Sequence, residues 1–339
     1  MYICIGGNMA TLKDVEKKYD VVALGELLID FTESGESTQG NSLFEANPGG
    51  APCNLLAMLQ KLGKKTAFIG KVGNDIFGKK LKQVVEEVGI DTTGLCMSEE
   101  IRTTLAFVKN DDSGERDFSF YRNPGADMML TREEVNEEII KSSRLFHFGT
   151  LSMTHEQIRE ATKHALEIAK DNNLLISFDP NIREPLWSSM EEAARQVAYG
   201  LEYCDILKIS DNEIVWFTGK EDYDEGIKYL NNKYNIPLIV LSMGSDGSRA
   251  YYKDMRVEVP AFIQDTTVDT TGAGDTFGGC CINYILEKGL DNLSEQDLEE
   301  MLTLANAGAS IVTTRKGALR VMPSKKDIEN LKNKLTNRA

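Results

Sequence analysis

Short apolar runs alternate with amphipathic, helix-length stretches along most of the chain. Val21–Gly25, Thr66–Gly70, Arg144–Phe148, Leu174–Phe178, Asp205–Ile209 and Pro237–Leu241 are largely apolar and too short for helices. Such runs suit strands buried on both faces of a parallel sheet. Between them, apolar residues recur at helical spacing: Leu55, Leu56, Met58, Leu59 and Leu62; Phe77, Leu81, Val84, Val85 and Val88; Ile158, Ala161, Ala165, Ile168 and Ala169. Further β-structure is expected at Arg249–Tyr252 and Arg256–Pro260, a small-residue helix over Leu302–Ile311, and an amphipathic helix at 325–336. The alternation predicts an α/β fold: a mainly parallel sheet flanked by helices on both faces.

Two stretches break the rhythm. Leu27–Phe31 continues the first strand and leaves Asp30 in apolar company, where it is either hydrogen-bonded structure or a ligand for a polar guest. Residues 32–46 are polar and read as irregular. Thr103–Val108 and Arg116–Tyr121 are β-branched or aromatic runs about the turn cluster Asn110–Gly114, which predicts an antiparallel hairpin. A hairpin inserted in an alternating β/α chain implies a small sheet standing off the main body. Together with 32–46, it would form a lid.

The candidate chemistry gathers where glycines open helices. In Asp269–Phe277, a β-prone, hydroxyl-bearing run ends in Gly272-Ala273-Gly274, and the apolar residues Phe277, Cys280, Cys281, Tyr284 and Ile285 follow at helix-compatible spacing. Glycine lets backbone approach a ligand, and the first amides of a helix have no partner within it. An anion, phosphate above all, is favoured there. Asp275 in the first turn is electrostatically awkward beside an anion unless it takes a proton from a hydroxyl. The plainer reading is a glycine turn with an acidic cap.

Pro48–Asn54 likewise opens a helix, with Asn54 in its first turn, and Asp179–Arg183 lies at the carboxyl end of a strand, where open α/β sheets bind ligands. Gly73–Lys80 approaches the P-loop pattern, but position 80 is Lys rather than Ser or Thr, and helical spacing begins inside the motif, so that reading fails.

Composition narrows the class. The chain has 339 residues, is 41% hydrophobic and 27% charged, and so reads as globular. Its formal net charge of −15 argues against nucleic acid or an anionic membrane as a general partner. A nucleotide would need local donors and a metal. No apolar run approaches the ~20 residues of a membrane-spanning helix, and Met1–Asp20 lacks the pattern of a secretory signal. The six cysteines form no C-x-x-C pair and suit a reducing cytoplasm. His147, His155 and His164 have no zinc spacing.

The chain resembles the PfkB (ribokinase-like) family of carbohydrate kinases from about residue 20 to 325. Pro48–Asn54 resembles the family's amino-terminal glycine signature and Asp269–Phe277 its carboxyl-terminal one. Gly25–Phe31, Pro48–Pro52, Phe120–Asp127 and Phe178–Trp187 are most similar to its fructokinase branch. The resemblance implies one ribokinase-like α/β domain over 20–325, with a β lid inserted from about 32–46 and 101–125. Residues 1–19 would be an amino-terminal extension and 326–339 a carboxyl-terminal helix.

It also implies transfer of phosphate from ATP to the 6-hydroxyl of D-fructose, giving fructose 6-phosphate. Asp275 would be the base, and the amides of Gly272, Ala273 and Gly274, with that of Asp275, the anion hole. Asp30, Gly49, Gly50 and Asn54 match the family's sugar contacts, and Arg122 and Arg183 would reach sugar or phosphates. Ser210 and Glu213 stand where the family has N-x-x-E, which acts through Mg²⁺ and its waters, with Ser a departure at the first position. Ser242, Gly244, Gly247 and Asn306 match the nucleotide side. Many relatives bind K⁺, and Asp269, Thr271, Arg315 and Gly317 fall at the matching places, although Val321 replaces a smaller or hydroxyl-bearing residue.

The alternatives within the family are a 2-keto-3-deoxygluconate kinase and a ribokinase. Outside it stands a non-catalytic sugar-binding regulatory protein. A homodimer through the lid is the expected assembly, in the cytoplasm.

Overall fold

The computed structural model describes residues 17–110 and 116–336. The expected extension at 1–19 lies outside the described residues up to position 16, and so do residues 111–115 of the hairpin turn. In chain order the first elements are β1 (Tyr19–Leu24), β2 (Leu28–Glu36), β3 (Ser42–Gly49), α1 (Ala51–Lys61), β4 (Thr66–Gly73), α2 (Ile76–Glu87) and β5 (Asp91–Ser98). Next come β6 (Leu105–Asn110), β7 (Arg116–Tyr121), α3 (Glu137–Lys141), β8 (Ser143–Gly149), α4 (Glu156–Asp171), β9 (Leu175–Asp179) and α5 (Met190–Leu201). The chain continues through β10 (Ile206–Ser210), α6 (Asp211–Thr218), α7 (Tyr223–Tyr234), β11 (Leu238–Ser242), β12 (Ser248–Tyr252) and β13 (Met255–Val259). It ends with α8 (Ala273–Lys288), α9 (Glu295–Val312) and α10 (Lys325–Thr336).

Nine strands form the main sheet in the order β13-β12-β11-β10-β9-β8-β1-β4-β5, parallel from β11 to β5 and antiparallel at β12 and β13. Alternate residues of β1 point to opposite layers. Val21 and Ala23 join a core with Leu55, Phe277, Cys280 and Leu302, while Val22 and Leu24 join one with Ala161, Ala165, Val197 and Leu230. Both faces of the sheet are therefore dry, which is why its strands read as continuous apolar runs. Each large side chain buried this way contributes roughly 1.5–3 kcal/mol.

The second sheet has the order β3-β2-β6-β7. It corrects the expectation that Leu27–Phe31 extends the first strand. The chain leaves the main sheet after Leu24, and β2 pairs with β3 and β6 instead. The turn between them is held by Glu26, whose Oε1 accepts from the Ala51 amide at 2.7 Å and so ties the turn to the start of α1. Residues 32–46 are not irregular either, since most of them lie in β2 and β3. The outer parts of these strands are exposed, so no apolar alternation marks them in the sequence. The hairpin at Thr103–Tyr121 is present as β6 and β7, antiparallel from Leu105↔Tyr121 to Asn110↔Arg116. The strands of this small sheet thus span 28–49 and 105–121.

The hydroxyl-bearing run before Gly272 lies outside both sheets, and β5, a half-exposed edge strand, had no signal of its own. Among the described residues, no helix is long and apolar enough to cross a membrane.

Candidate active site

The strand order reverses beside β1: β4 and β5 follow on one side, β8 to β11 on the other. In sheets of this kind the crevice at the carboxyl ends of the strands around that point takes the ligand. Helix α8 begins in this crevice. Its N-cap Gly272 has φ +77°, and a Cβ there would stand 2.8 Å from the Ala318 Cβ, so glycine is required. The helix ladder starts with the Thr276 amide bonding the Gly272 carbonyl at 2.8 Å. Of the expected hole amides, that of Ala273 donates to the Thr270 carbonyl at 3.3 Å. The amides of Gly274 and Asp275 belong to the first turn, which has no partner within the helix.

Asp275 stands at the mouth of α8. Its Oδ2 accepts from Asn54 Nδ2 at 2.8 Å, although the two residues are 221 positions apart. The contact forms because α1 packs closely on α8: Gly279 has no Cβ, and one built there would lie 3.2 Å from the Leu55 carbonyl. Burial pushes the Asp275 carboxyl above its ordinary value, while the Asn54 bond and the charges of Lys208 and Arg183 oppose that shift. The Asn54 Oδ1 is buried without a partner.

Two cavities meet at this mouth. One, of about 290 Å³, is lined by Asp30, Gly50, Asn54, Arg183 and Asp275, with Val108 and Phe120 of the small sheet above. The other, of about 450 Å³, is lined by Ser242, Gly244, Gly247 and Asn306 with Phe262 and Ala309. Thr270 and Gly274 line both.

On the first side, Gly49 is not a lining residue, but it lets Asp30 in: a Cβ on it would stand 2.3 Å from Asp30 Oδ2. Gly50 has φ +131°. On the second side, Asn306 pins the wall, donating to the carbonyls of Val259 (3.0 Å) and Pro260 (3.1 Å) and accepting from Ser248 Oγ (2.9 Å). Gly247, at φ +103°, leaves no room for a Cβ, which would meet the Val259 carbonyl at 2.2 Å.

Other expected site residues are placed differently. Arg122 does not reach the cleft. Its guanidinium is buried, donating to Asp127 Oδ2 (2.8 Å), Thr154 Oγ1 (2.9 Å) and the Leu151 carbonyl (3.0 Å), behind the cavity wall to which Leu151 belongs. Ser210 and Glu213 form a capping box at the start of α6. Glu213 also accepts from the Ile182 amide at 2.8 Å, tying down the loop that carries Arg183.

Asp269, Thr271 and Gly317 are brought together, Asp269 accepting from the Thr271 amide and hydroxyl (2.9 and 2.7 Å) and from the Gly317 amide (3.0 Å). Arg315 turns away from them, to the Val321 carbonyl (2.7 Å) and Asp327 (3.3 Å). Among the described residues, no three His, Cys, Asp or Glu side chains cluster to hold a metal ion.

Sequence reasoning missed the ion pair at the cavity floor. Lys208 of β10 lies 3.0 Å from Asp179 at the end of β9, and both are buried. Burial pushes the Asp179 carboxyl up to about 6 against the pull of Lys208. Burial also works against the Lys208 charge, but Asp179, Glu213 and Asp275 outweigh it and hold the ammonium protonated. The available signal was a lysine inside the otherwise apolar run Ile206–Ile209, since lysine is rarely buried unless paired. Glu26, also in the cavity wall, has its carboxyl pushed up to about 7 by burial.

Comparison with known proteins follows the same lines. Residues 18–325 match the profile described as pfkB family carbohydrate kinase. The chain is 42% identical over 316 residues to Probable fructokinase-2 of Arabidopsis thaliana, covering 93% of this chain and 96% of that protein. Among solved structures, a fructokinase with bound ATP from Xylella fastidiosa superposes with a TM-score of 0.85 at 28% identity, over 94% of this chain and 99% of that one. A fructokinase double mutant from Vibrio cholerae O395, with fructose, ADP and potassium ion bound, gives 0.83 at 27% identity, over 93% and 99%.

Proposed function

The chain belongs to the pfkB family of carbohydrate kinases and is a sugar phosphotransferase, and from that premise we propose that it phosphorylates D-fructose at the 6-hydroxyl with ATP. The observation that carries this reading is the mouth of α8, where the Asp275 carboxylate and the first-turn amides of Gly274 and Asp275 stand at the junction of two cavities. Fructose would occupy the smaller cavity, against Asp30 and Asn54. ATP would lie in the larger one, its terminal phosphate reaching Gly274. In the reaction the 6-hydroxyl oxygen bonds to the γ-phosphorus and the bond to the bridging oxygen breaks, its electron pair leaving with ADP. The hydroxyl proton passes to Asp275, and the amides of Gly274 and Asp275 hold the charge of the migrating group. Positioning and electrostatic stabilisation supply most of the catalysis in such transfers.

The nucleotide requires a metal ion, which we take to be Mg²⁺. The described residues offer no three-carboxylate cage, so the donors fit an ion carried mainly by phosphate and water, with Glu213 oriented nearby. Bound there, the ion would neutralise phosphate charge. Asp269, Thr271 and Gly317 are the residues that would hold K⁺, without Arg315.

The small sheet is the proposed lid. Asp30, Thr32, Val108 and Phe120 face the cavity. In strand register, Phe31 and Phe107 take the opposite face and stack at 4.8 Å, and Phe44 and Tyr121 pack edge-on against Phe107. Phe44 and Tyr121 remain exposed. That apolar face is the proposed homodimer contact. The free cysteines suit the cytoplasm.

A keto-acid substrate would need a cation for its carboxylate, and with Arg122 committed elsewhere Arg183 is the candidate. An ATP-coupled assay over fructose, ribose and 2-keto-3-deoxygluconate, with and without potassium, tests the reading. Fructose should give the highest kcat/KM. Preferred turnover of the acid would overturn the substrate, and no turnover of any sugar would overturn the kinase.

A further inference from the structure

Lys208 sits in the middle of a strand whose neighbours Ile206, Leu207 and Ile209 are fully buried, and it is itself only 8% exposed. Its Nζ lies 3.2 and 3.0 Å from the two oxygens of Asp179, which is 6% exposed. An ion pair buried this deeply holds a fold no better than apolar residues of the same volume. Its position points to chemistry instead. Lys208 lines the sugar cavity together with Gly272, Gly274 and Asp275. A Cβ built on Gly274 would stand 3.3 Å from Lys208 Nζ, so the ammonium lies against the first turn of α8 on the sugar side.

An ammonium has three donors, and among the described residues the one hydrogen-bond partner of Nζ is Asp179. The surroundings are acidic: Glu26, Asp30 and Asp275 line the same cavity, and the chain carries a net charge of −15. A terminal phosphate entering this region meets repulsion that amides alone must offset, unless a cation stands among the carboxylates. Lys208 and Arg183 are the two cations lining the cavity, and the Arg183 guanidinium is tethered at the rim through the Ile182 carbonyl at 3.1 Å.

We propose that Lys208 is a catalytic residue, its ammonium donating to a non-bridging oxygen of the phosphoryl group as that group crosses from ATP to the sugar, with Asp179 the positioning residue that aims it. This deepens the kinase reading and rests on it. Lys208 keeps its proton throughout. The bond from the sugar oxygen to phosphorus forms, the bond to the ADP oxygen breaks with its electron pair, and the sugar proton goes to Asp275 as before. Lysine acts here as a point charge for phosphate, standing on the sugar side of the crossing, against the first turn of α8.

The test uses the full chain in three forms: wild type, Lys208→Met, and Lys208→Met with Asp179→Asn, which avoids stranding a buried carboxylate if the single variant folds poorly. Wild-type turnover of fructose tests the kinase reading alone, and absence of turnover would defeat that reading before the variants are considered. Given turnover, the folded variant should lose about 10²–10³-fold in kcat, the range for removing one preorganised donor, with the fructose KM nearly unchanged. Binding of ADP with fluoroaluminate in the presence of fructose should weaken by a similar factor, while binding of ADP with fructose alone should hold. A kcat close to wild type, or equal weakening of both complexes, would overturn the proposal.

Discussion

As the proposed base, Asp275 would need its charge to accept a proton, and its surroundings pull that charge in two directions. Burial raises its carboxyl, and the bond from Asn54 favours the ionised form. The acid limb of kcat/KM should therefore lie above the range of an ordinary aspartate (about 3.9). In Asn54→Ala it should move further up, because removing a donor to the charged form favours the neutral one. A limb unmoved by that substitution would show that another group controls it.

Arg122 belongs to stability instead. Breaking its buried pair with Asp127 strands a carboxylate, so Arg122→Met should cost about 3–5 kcal/mol in denaturant unfolding while leaving the fructose KM of the folded protein nearly unchanged. At this scale the sequence was legible where a motif carried it: Asp275, Asn54, Gly50, Gly272 and Gly274 line one cavity. Arg122 was misread because a motif cannot tell the cavity wall from the layer behind it. Lys208 went unnoticed because its partner Asp179 comes from a different strand.

At the level of elements, glycines position the site by letting pieces of chain approach. Gly49 admits the Asp30 carboxylate, which a Cβ would displace. In Gly49→Ala, the new Cβ would push the Asp30 carboxylate from its place in the sugar cavity. With a charge-assisted hydrogen bond lost, about 1.5–3 kcal/mol, kcat/KM for fructose should fall roughly 10- to 100-fold. The loss should come mainly through KM, with the melting temperature little changed. A large fall in melting temperature with KM intact would mean that Gly49 serves packing alone.

The strands of the main sheet were readable because burial on both faces makes them apolar throughout. The small sheet was half readable: β6 and β7 alternate, but β2 and β3 project into water for much of their length and carry no such pattern. The break between β1 and β2 depends on Glu26 bonding the start of α1, a contact across 25 positions that local pattern does not encode.

For the whole molecule, Glu26 gives a pH dependence with a definite sign. Its carboxyl is pushed up to about 7 in the fold, from an ordinary 4.5. The fold thus favours the protonated form, and this contribution is complete below about 4.5 and lost as pH rises through about 7. Glu26→Gln keeps an acceptor for the Ala51 amide. It should become increasingly more stable than wild type from pH 5 to 8, by up to roughly 3 kcal/mol. A difference that stays constant across that range would contradict the assignment.

The exposed aromatic face of the lid predicts a particle of twice the 37.7 kDa chain mass by sedimentation, reduced to monomer by Phe44→Asp. A wild-type monomer would remove the lid from the assembly.

The central claim is that the acid at the mouth of α8 deprotonates the sugar as phosphate moves. The most direct measurement is single-turnover transfer of the γ-phosphoryl group to fructose by Asp275→Asn, with sugar affinity measured by calorimetry on the same sample. The account predicts transfer slowed by about 10²–10⁴-fold with fructose still bound. Transfer at the wild-type rate by the sugar-bound variant would contradict it.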